Sequence, residues 1–155
     1  AAPIAQAHEE AKQACEPRFV PVRPFVDDRG WSLMNLMQGV LDPGGQVNFS
    51  HMHPGLVKAW HHHTRQTDFW LITQGHAQVG VHDEKADRSW SLVTGVMNPG
   101  VVIVPPPLWH GVAAIGPDPV GLVYYVTQAY NPAEPDEFRR DFDSVDGFEW
   151  GTLNR

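Results

Sequence analysis

Along most of the chain the apolar residues come in short runs cut at close intervals by glycine and proline. Residues 69–81, 90–94, 101–104 and 121–130 are rich in Val, Ile, Trp, Tyr and Phe, and each has the length of one strand or a pair. Turn residues bound them: Gly75, Asn98-Pro99-Gly100 and Gly116-Pro117-Asp118. After residue 16 no stretch holds a 3.6-residue apolar period for three turns. The pattern predicts an all-β domain of short strands, a sandwich or barrel. Pro105-Pro106-Pro107 reads as a turn or edge, because proline has no N–H to give a central ladder. Residues 1–14 predict a short polar helix or tail. Glu9, Glu10 and Lys12 fall where a secretory segment would be continuously apolar. Residues 132–155, acidic and aromatic, predict a tail that packs on the barrel rather than a second domain. The expected organisation is an N-terminal tail or helix over 1–20 and one domain over 21–150.

Composition narrows the class. A chain of 155 residues fits one domain with a real core. No apolar run approaches the roughly 18–20 residues that cross a bilayer. The net charge of −7 and a pI near 5.6 argue against nucleic acid or an anionic membrane as the main partner. Cys15 is the single cysteine, so no intrachain disulfide can form. A cytoplasmic enzyme is the expectation. Nine histidines are unusual for this length, and three of them, His61-His62-His63, are consecutive.

These histidines follow Val57-Lys58-Ala59-Trp60, which reads as a strand. Side chains alternate across a strand, so His61 and His63 share one face and His62 points to the other. Asp68 opens the next apolar run, and His110 follows the proline turn. Two imidazoles on one face, a nearby carboxylate and a third histidine from a distant strand suit a first-row divalent metal. The same imidazoles suit acid–base work, because histidine titrates near neutral pH. Residues 51, 53, 76 and 82, also histidines, are expected on the surface or in turns.

Gly55, five residues, His61-x-His63, four residues, Asp68, six residues and Gly75 resemble the first cupin motif, with Asp68 in place of its glutamate. Pro105-x-Pro107-x-x-His110 approximates the second. The resemblance implies a cupin jelly-roll barrel. A longer resemblance runs from about residue 23 to 150. Asp28-Arg29-Gly30, Gln46-x-Asn48-x-Ser50, Gly55-Leu56-Val57-Lys58-Ala59-Trp60-His61, Val104-Pro105…His110-Gly111 and Tyr124-Tyr125-Val126-Thr127…Tyr130-Asn131-Pro132 fall in order. Together they resemble the dTDP-4-dehydrorhamnose 3,5-epimerase (RmlC-like) family. The run Trp60-His61-x-His63-x-x-Gln66-x-Asp68 and the final Pro135-Asp136-Glu137-Phe138-Arg139 resemble a divergent branch of that family.

That resemblance implies proton chemistry beside a ketone, on a nucleotide-linked 4-keto-6-deoxy sugar, in a homodimer that needs no cofactor. His61 matches the family's base, Tyr124 its proton donor, and His110 a histidine of the sugar pocket. Arg29 and Lys58 match cationic positions near the diphosphate, while Gln46 and Asn48 match nucleotide contacts. Trp60, His63, Gln66 and Tyr130 complete the expected substrate wall, with Tyr130 an alternative acid. Three positions depart from the pattern. Asp68 stands where the family has a lysine, Asn35 stands near the place of a substrate-binding glutamate, and the aspartate that orients the base lies beyond this C-terminus. Asp141, Asp143 and Asp146 are the nearby candidates to replace that aspartate.

Two other readings accompany the epimerase. One is a metal-dependent isomerase or oxygenase holding zinc, iron, nickel or manganese through His61, His63, Asp68 and His110. In it His61 is a ligand and so no longer a free base. The other is a sugar-nucleotide-binding cupin that has lost catalysis.

Overall fold

The computed structural model describes residues 3–153. One helix, α1 (Pro3–Ala14), precedes twelve strands. These are β1 (Arg18–Pro21), β2 (Phe25–Asp27), β3 (Gly30–Ser32), β4 (Gln46–Met52), β5 (Val57–His62) and β6 (Asp68–Gln74), then β7 (His76–Asp83), β8 (Arg88–Gly95), β9 (Gly100–Val104), β10 (Trp109–Ile115), β11 (Val120–Val126) and β12 (Phe138–Arg139). Two five-stranded antiparallel sheets face each other, in the orders β1-β9-β6-β11-β4 and β12-β5-β10-β7-β8. The expected all-β jelly roll is present, as two sheets that do not close on each other. β2 and β3 form a separate hairpin.

Between the sheets lies the core of Met52, Trp70, Ile72, Val79, Val81, Val102, Val104, Leu108, Val112 and Leu122. The outer face of the first sheet is covered by α1. Ile4, Ala7 and Ala11 sit at helical spacing and pack against Phe69, Val101, Ile103 and Tyr125. β4 is absent from the apolar runs because its pattern is inverted. Gln46, Asn48 and Ser50 face inward, while Val47 and Phe49 are exposed.

The second sheet carries the feature that places the site. β5 and β10 pair His61 with His110 and Lys58 with Val112. Three steps along β5 thus match two along β10, which is a β-bulge. Ala59 and Trp60 together oppose Gly111. Paired residues share a face, so Lys58 lies on the inner side with Val112, and His61 lies there with His110. Uninterrupted alternation would have turned Lys58 outward.

The outer side of the bulge is packed by the tail. Trp60 is fully buried, with its ring 4.9 Å from Phe148 and 5.0 Å from Trp150, and its Nε1 donates to the Phe142 carbonyl at 3.0 Å. Gly111 and Gly80 pair across β10 and β7 and form the trough for these rings. A Cβ on Gly80 would lie 2.5 Å from Phe148, and one on Gly111 would lie 2.4 Å from the Ala59 Cβ. The expected packed tail is present, and glycine makes the room for it.

Gly111→Ala is therefore an overpacking change at a backbone contact, expected to cost about 1–3 kcal/mol. Urea denaturation of the variant against the parent reads this directly.

Candidate active site

One end of the sandwich opens into a cavity of about 1520 Å³. β4 and β11 supply one wall through Gln46, Asn48, Ser50 and Tyr124, and β5 supplies the facing wall through Lys58 and His61. The inward row follows from the register. Tyr124 pairs with Asn48 on one side and Trp70 on the other, so all three share the inner face. Tyr125 is turned outward under α1, where its hydroxyl accepts from the Asp42 N–H at 2.8 Å. Of the two adjacent tyrosines, Tyr124 is the one in the cavity.

A buried carboxylate lies at the floor. Asp68 accepts from Gln66 Nε2 at 2.8 Å and from Trp70 Nε1 at 3.1 Å. His63 Nε2 stands 3.9 Å from one of its oxygens and His110 Nε2 3.7 Å from the other. Burial raises the Asp68 carboxyl above its ordinary range, against the opposing effects of His63, Gln66 and Trp70. Burial pushes His110 well below the usual imidazole range, and His63 and His61 push it further. Both ring nitrogens of His110 are buried without a hydrogen-bond partner. His61 is also lowered, first by burial; Glu137 opposes that shift and Arg139 adds to it.

The third wall is the segment around β12. It pairs antiparallel with β5, with Phe138 opposite His62 and Arg139 opposite His61, and Trp60 and Arg140 exchange two main-chain hydrogen bonds of 2.9 and 3.1 Å. The Asp136 carbonyl receives His63 Nδ1 at 2.5 Å. Glu137 Oε1 lies 3.3 Å from His61 Nδ1, though off the hydrogen-bond line. The Asp136 carboxylate accepts from Thr64 N at 2.8 Å, Thr64 Oγ1 at 2.7 Å and Arg65 N at 2.9 Å. Burial works against its charge, yet the Thr64 and Arg65 bonds hold its pKa at about 2.

Most of the expected residues meet here. His61, His63, His110, Tyr124, Gln46, Asn48, Lys58, Gln66 and Asp68 line one cavity, and Tyr130 stands at its rim, where its N–H binds Gln46. His62 faces away, packed between Trp109 and Phe138. Three expectations differ from the structure. Trp60 borders the cavity, but the bulge turns its ring to the outer face, where it packs against Phe148 and Trp150. Arg29 stands in the exposed β2–β3 hairpin, ion-paired with Asp27 beside a shallow groove of Phe25, Trp31 and Met34, outside the main cavity. His82 is buried rather than a surface residue and bonds to Ser89. Of the four residues expected to hold a metal, the structure groups three. His63, Asp68 and His110 bring ligand atoms within 4.8 Å of one another, and His61 is not part of that group.

Asp136 and Glu137, noted only within the motif of residues 135–139, were not among the expected site residues. Both lie in the stretch read as a packed tail, and no local pattern announces that a two-residue strand will return along β5. Of the acidic residues expected to replace the family's aspartate, Asp141 borders the cavity, while Asp143 and Asp146 are not among its lining residues.

The fold and site together define a jelly-roll sandwich whose polar cavity holds opposed histidine and tyrosine side chains over a buried carboxylate. The chain belongs to the polysaccharide biosynthesis C-terminal domain family, whose model matches residues 25–138. It is 36% identical over 134 residues to the spore coat polysaccharide biosynthesis protein SpsL of Bacillus subtilis (strain 168), covering 81% of this chain and 89% of that protein. It is 36% identical over 101 residues to the "Probable low-salt glycan biosynthesis epimerase Agl13" of Haloferax volcanii, covering 61% and 65%. A dTDP sugar isomerase from Desulfovibrio desulfuricans G20 has the same fold, with a TM-score of 0.76 at 22% identity over 86% of this chain and 90% of that one. The expected RmlC-like cupin and epimerase-like enzyme agree with these relatives. No helix among the described residues is long and apolar enough to cross a membrane.

The buried, neutral His110 sets a direction for stability. An unfolded imidazole takes up a proton near pH 6.5, whereas the folded one resists until well below that. The unfolded state therefore binds more protons on acidification. Stability that is complete above about pH 6.5 falls as pH drops. Thermal unfolding midpoints should decline from about pH 7.5 to pH 5.5, and His110→Gln should flatten the decline.

Proposed function

We propose that the protein epimerises or isomerises a nucleotide-activated 4-keto-6-deoxy sugar by removing and returning a proton alpha to the ketone. The observation that carries this reading is that His61 and Tyr124 enter one cavity from opposed sheets. A base on one side and an acid on the other address the two faces of a sugar ring lying between them. Inversion requires that arrangement. His61 takes the proton, the electron pair moves onto the carbonyl oxygen, and Tyr124 returns a proton to the opposite face. Burial lowers the pKa of His61, so it is largely neutral and ready to accept at working pH. Lys58, brought inward by the bulge, supplies a cation for the diphosphate. Gln46 and Asn48, bonded to each other at 3.3 Å, present amides for a base or ribose. The Asp68 carboxyl replaces the family's lysine, and its burial disfavours the charge that would oppose an enolate.

A divalent metal is a second reading, favoured by the orphaned nitrogens of His110. A main-chain carbonyl only accepts, so His63 Nδ1 carries the proton and leaves its Nε2 lone pair facing Asp68. That is how a ligating histidine is usually held. His63, His110 and Asp68 thus fit zinc, iron, nickel or manganese. A metal bound there would polarise the ketone as a Lewis acid. Because His61 stands outside this trio, metal binding and a free base do not exclude each other.

A homodimer belongs to the same proposal. Phe25, Val26 and Trp31 of the hairpin and Val47 and Phe49 of edge strand β4 are exposed apolar groups that a second copy would cover.

In deuterium oxide a dTDP-linked 4-keto-6-deoxy sugar should gain deuterium at the carbon next to the ketone. His61→Asn should slow that exchange by about 10²–10⁴-fold. Absence of exchange with binding retained would favour the inactive sugar-nucleotide-binding cupin. Native mass spectrometry of tag-free protein should show a dimer, and a metal adduct that is lost in His110→Ala would establish the second reading. A metal-free monomer would remove both of those additions.

A further inference from the structure

We infer that Asp136 and Glu137 are positioning residues of this site, one setting the tautomer of His63 and the other the orientation of His61. The inference builds on the proposed proton transfer, but its geometry stands apart from any substrate. Two adjacent residues of the β12 segment meet the two cavity imidazoles in turn. The Asp136 carbonyl takes the His63 Nδ1 proton. The Glu137 carboxylate stands 3.3 Å from His61 Nδ1, a buried nitrogen with no hydrogen-bond partner of its own. Contacts directed at the two Nδ1 positions leave the two Nε2 atoms for chemistry.

The contacts depend on the segment being held. Three hydrogen bonds from the Thr64–Arg65 turn, which directly follows His63, fasten the Asp136 carboxylate. The Trp60–Arg140 pair of main-chain bonds fastens the other end beside His61. The histidine strand and its positioning segment are therefore locked on both sides of the imidazoles. Glu137 has a second partner in Arg139 Nη2 at 3.3 Å, which steadies the carboxylate that faces His61. The rest of the tail, with Phe148 and Trp150, packs on the outer face against Trp60.

Nitrogen-15 spectra of the histidine rings test this at one pH, about 8, where free imidazoles are neutral, with chelator present throughout. In the parent, His63 should show a protonated Nδ1 and an unprotonated Nε2. Asp136→Ala should shift it toward the opposite tautomer, and Thr64→Val, which removes only the Oγ1 bond, should do so in part. Glu137→Ala should alter the His61 signals alone, with Glu137→Asp restoring them in part. On a keto-sugar nucleotide each alanine variant should lower kcat by about 10–100-fold with little change in KM. If His63 keeps its tautomer in both Asp136→Ala and Thr64→Val, or His61 keeps its parent signals in Glu137→Ala, the inference is overturned. Should the parent process no keto-sugar, the proposed reaction fails, while the ring spectra still decide the positioning roles.

Discussion

The site rests on the pairing of β5 with β10, where Ala59 and Trp60 together oppose Gly111. Gly111 has no side chain, so the Ala59 Cβ and the rings of Trp60 and Trp150 can crowd one patch of the outer face. The displaced register then turns Lys58 and His61 to the inner face. A larger residue at 111 would separate the strands that bring His61 beside His110. One glycine, a two-residue bulge and a buried tryptophan thus determine which polar groups enter the cavity.

Burial is the second constraint. Asp68 and His110 have almost no contact with water, and neither has a full charged partner. Burial raises the carboxyl and lowers the imidazole, so it disfavours the charged form of both. Such groups are costly in a core unless something uses them, and their position at the cavity floor supplies that use. A proton-transfer site gains neutral, poised groups, and a metal site gains two imidazole nitrogens and a carboxylate. The same three residues serve either chemistry, while His61 remains separate.

The C-terminal segment joins these two constraints. Its aromatic part seals the outside of the bulge through Phe148 and Trp150. Its acidic part, Asp136-Glu137, returns along the free edge of β5 and meets the imidazoles. Packing and positioning therefore arrive on one piece of chain, which explains why an acidic stretch at the end of the sequence is part of the site.

Much of this was readable in residue order. Short β-rich runs between glycines and prolines determined the all-β class, because strand length and turn chemistry are local. The spacing of His61, His63, Asp68 and His110 marked the site, because alternation along a strand is local too. The tertiary structure decided what depends on two distant segments meeting. The β5 bulge exists only against β10, so it alone could send Trp60 outward and Lys58 inward. Gln46–Met52 became a strand although its apolar residues face out, since the inner face there lines a polar cavity rather than a core. Arg29 was drawn to the site by its motif, yet its hairpin pairs with neither sheet and it does not line the main cavity. Glu137 reached His61 across 76 positions of sequence through a two-residue pairing that no local pattern encodes.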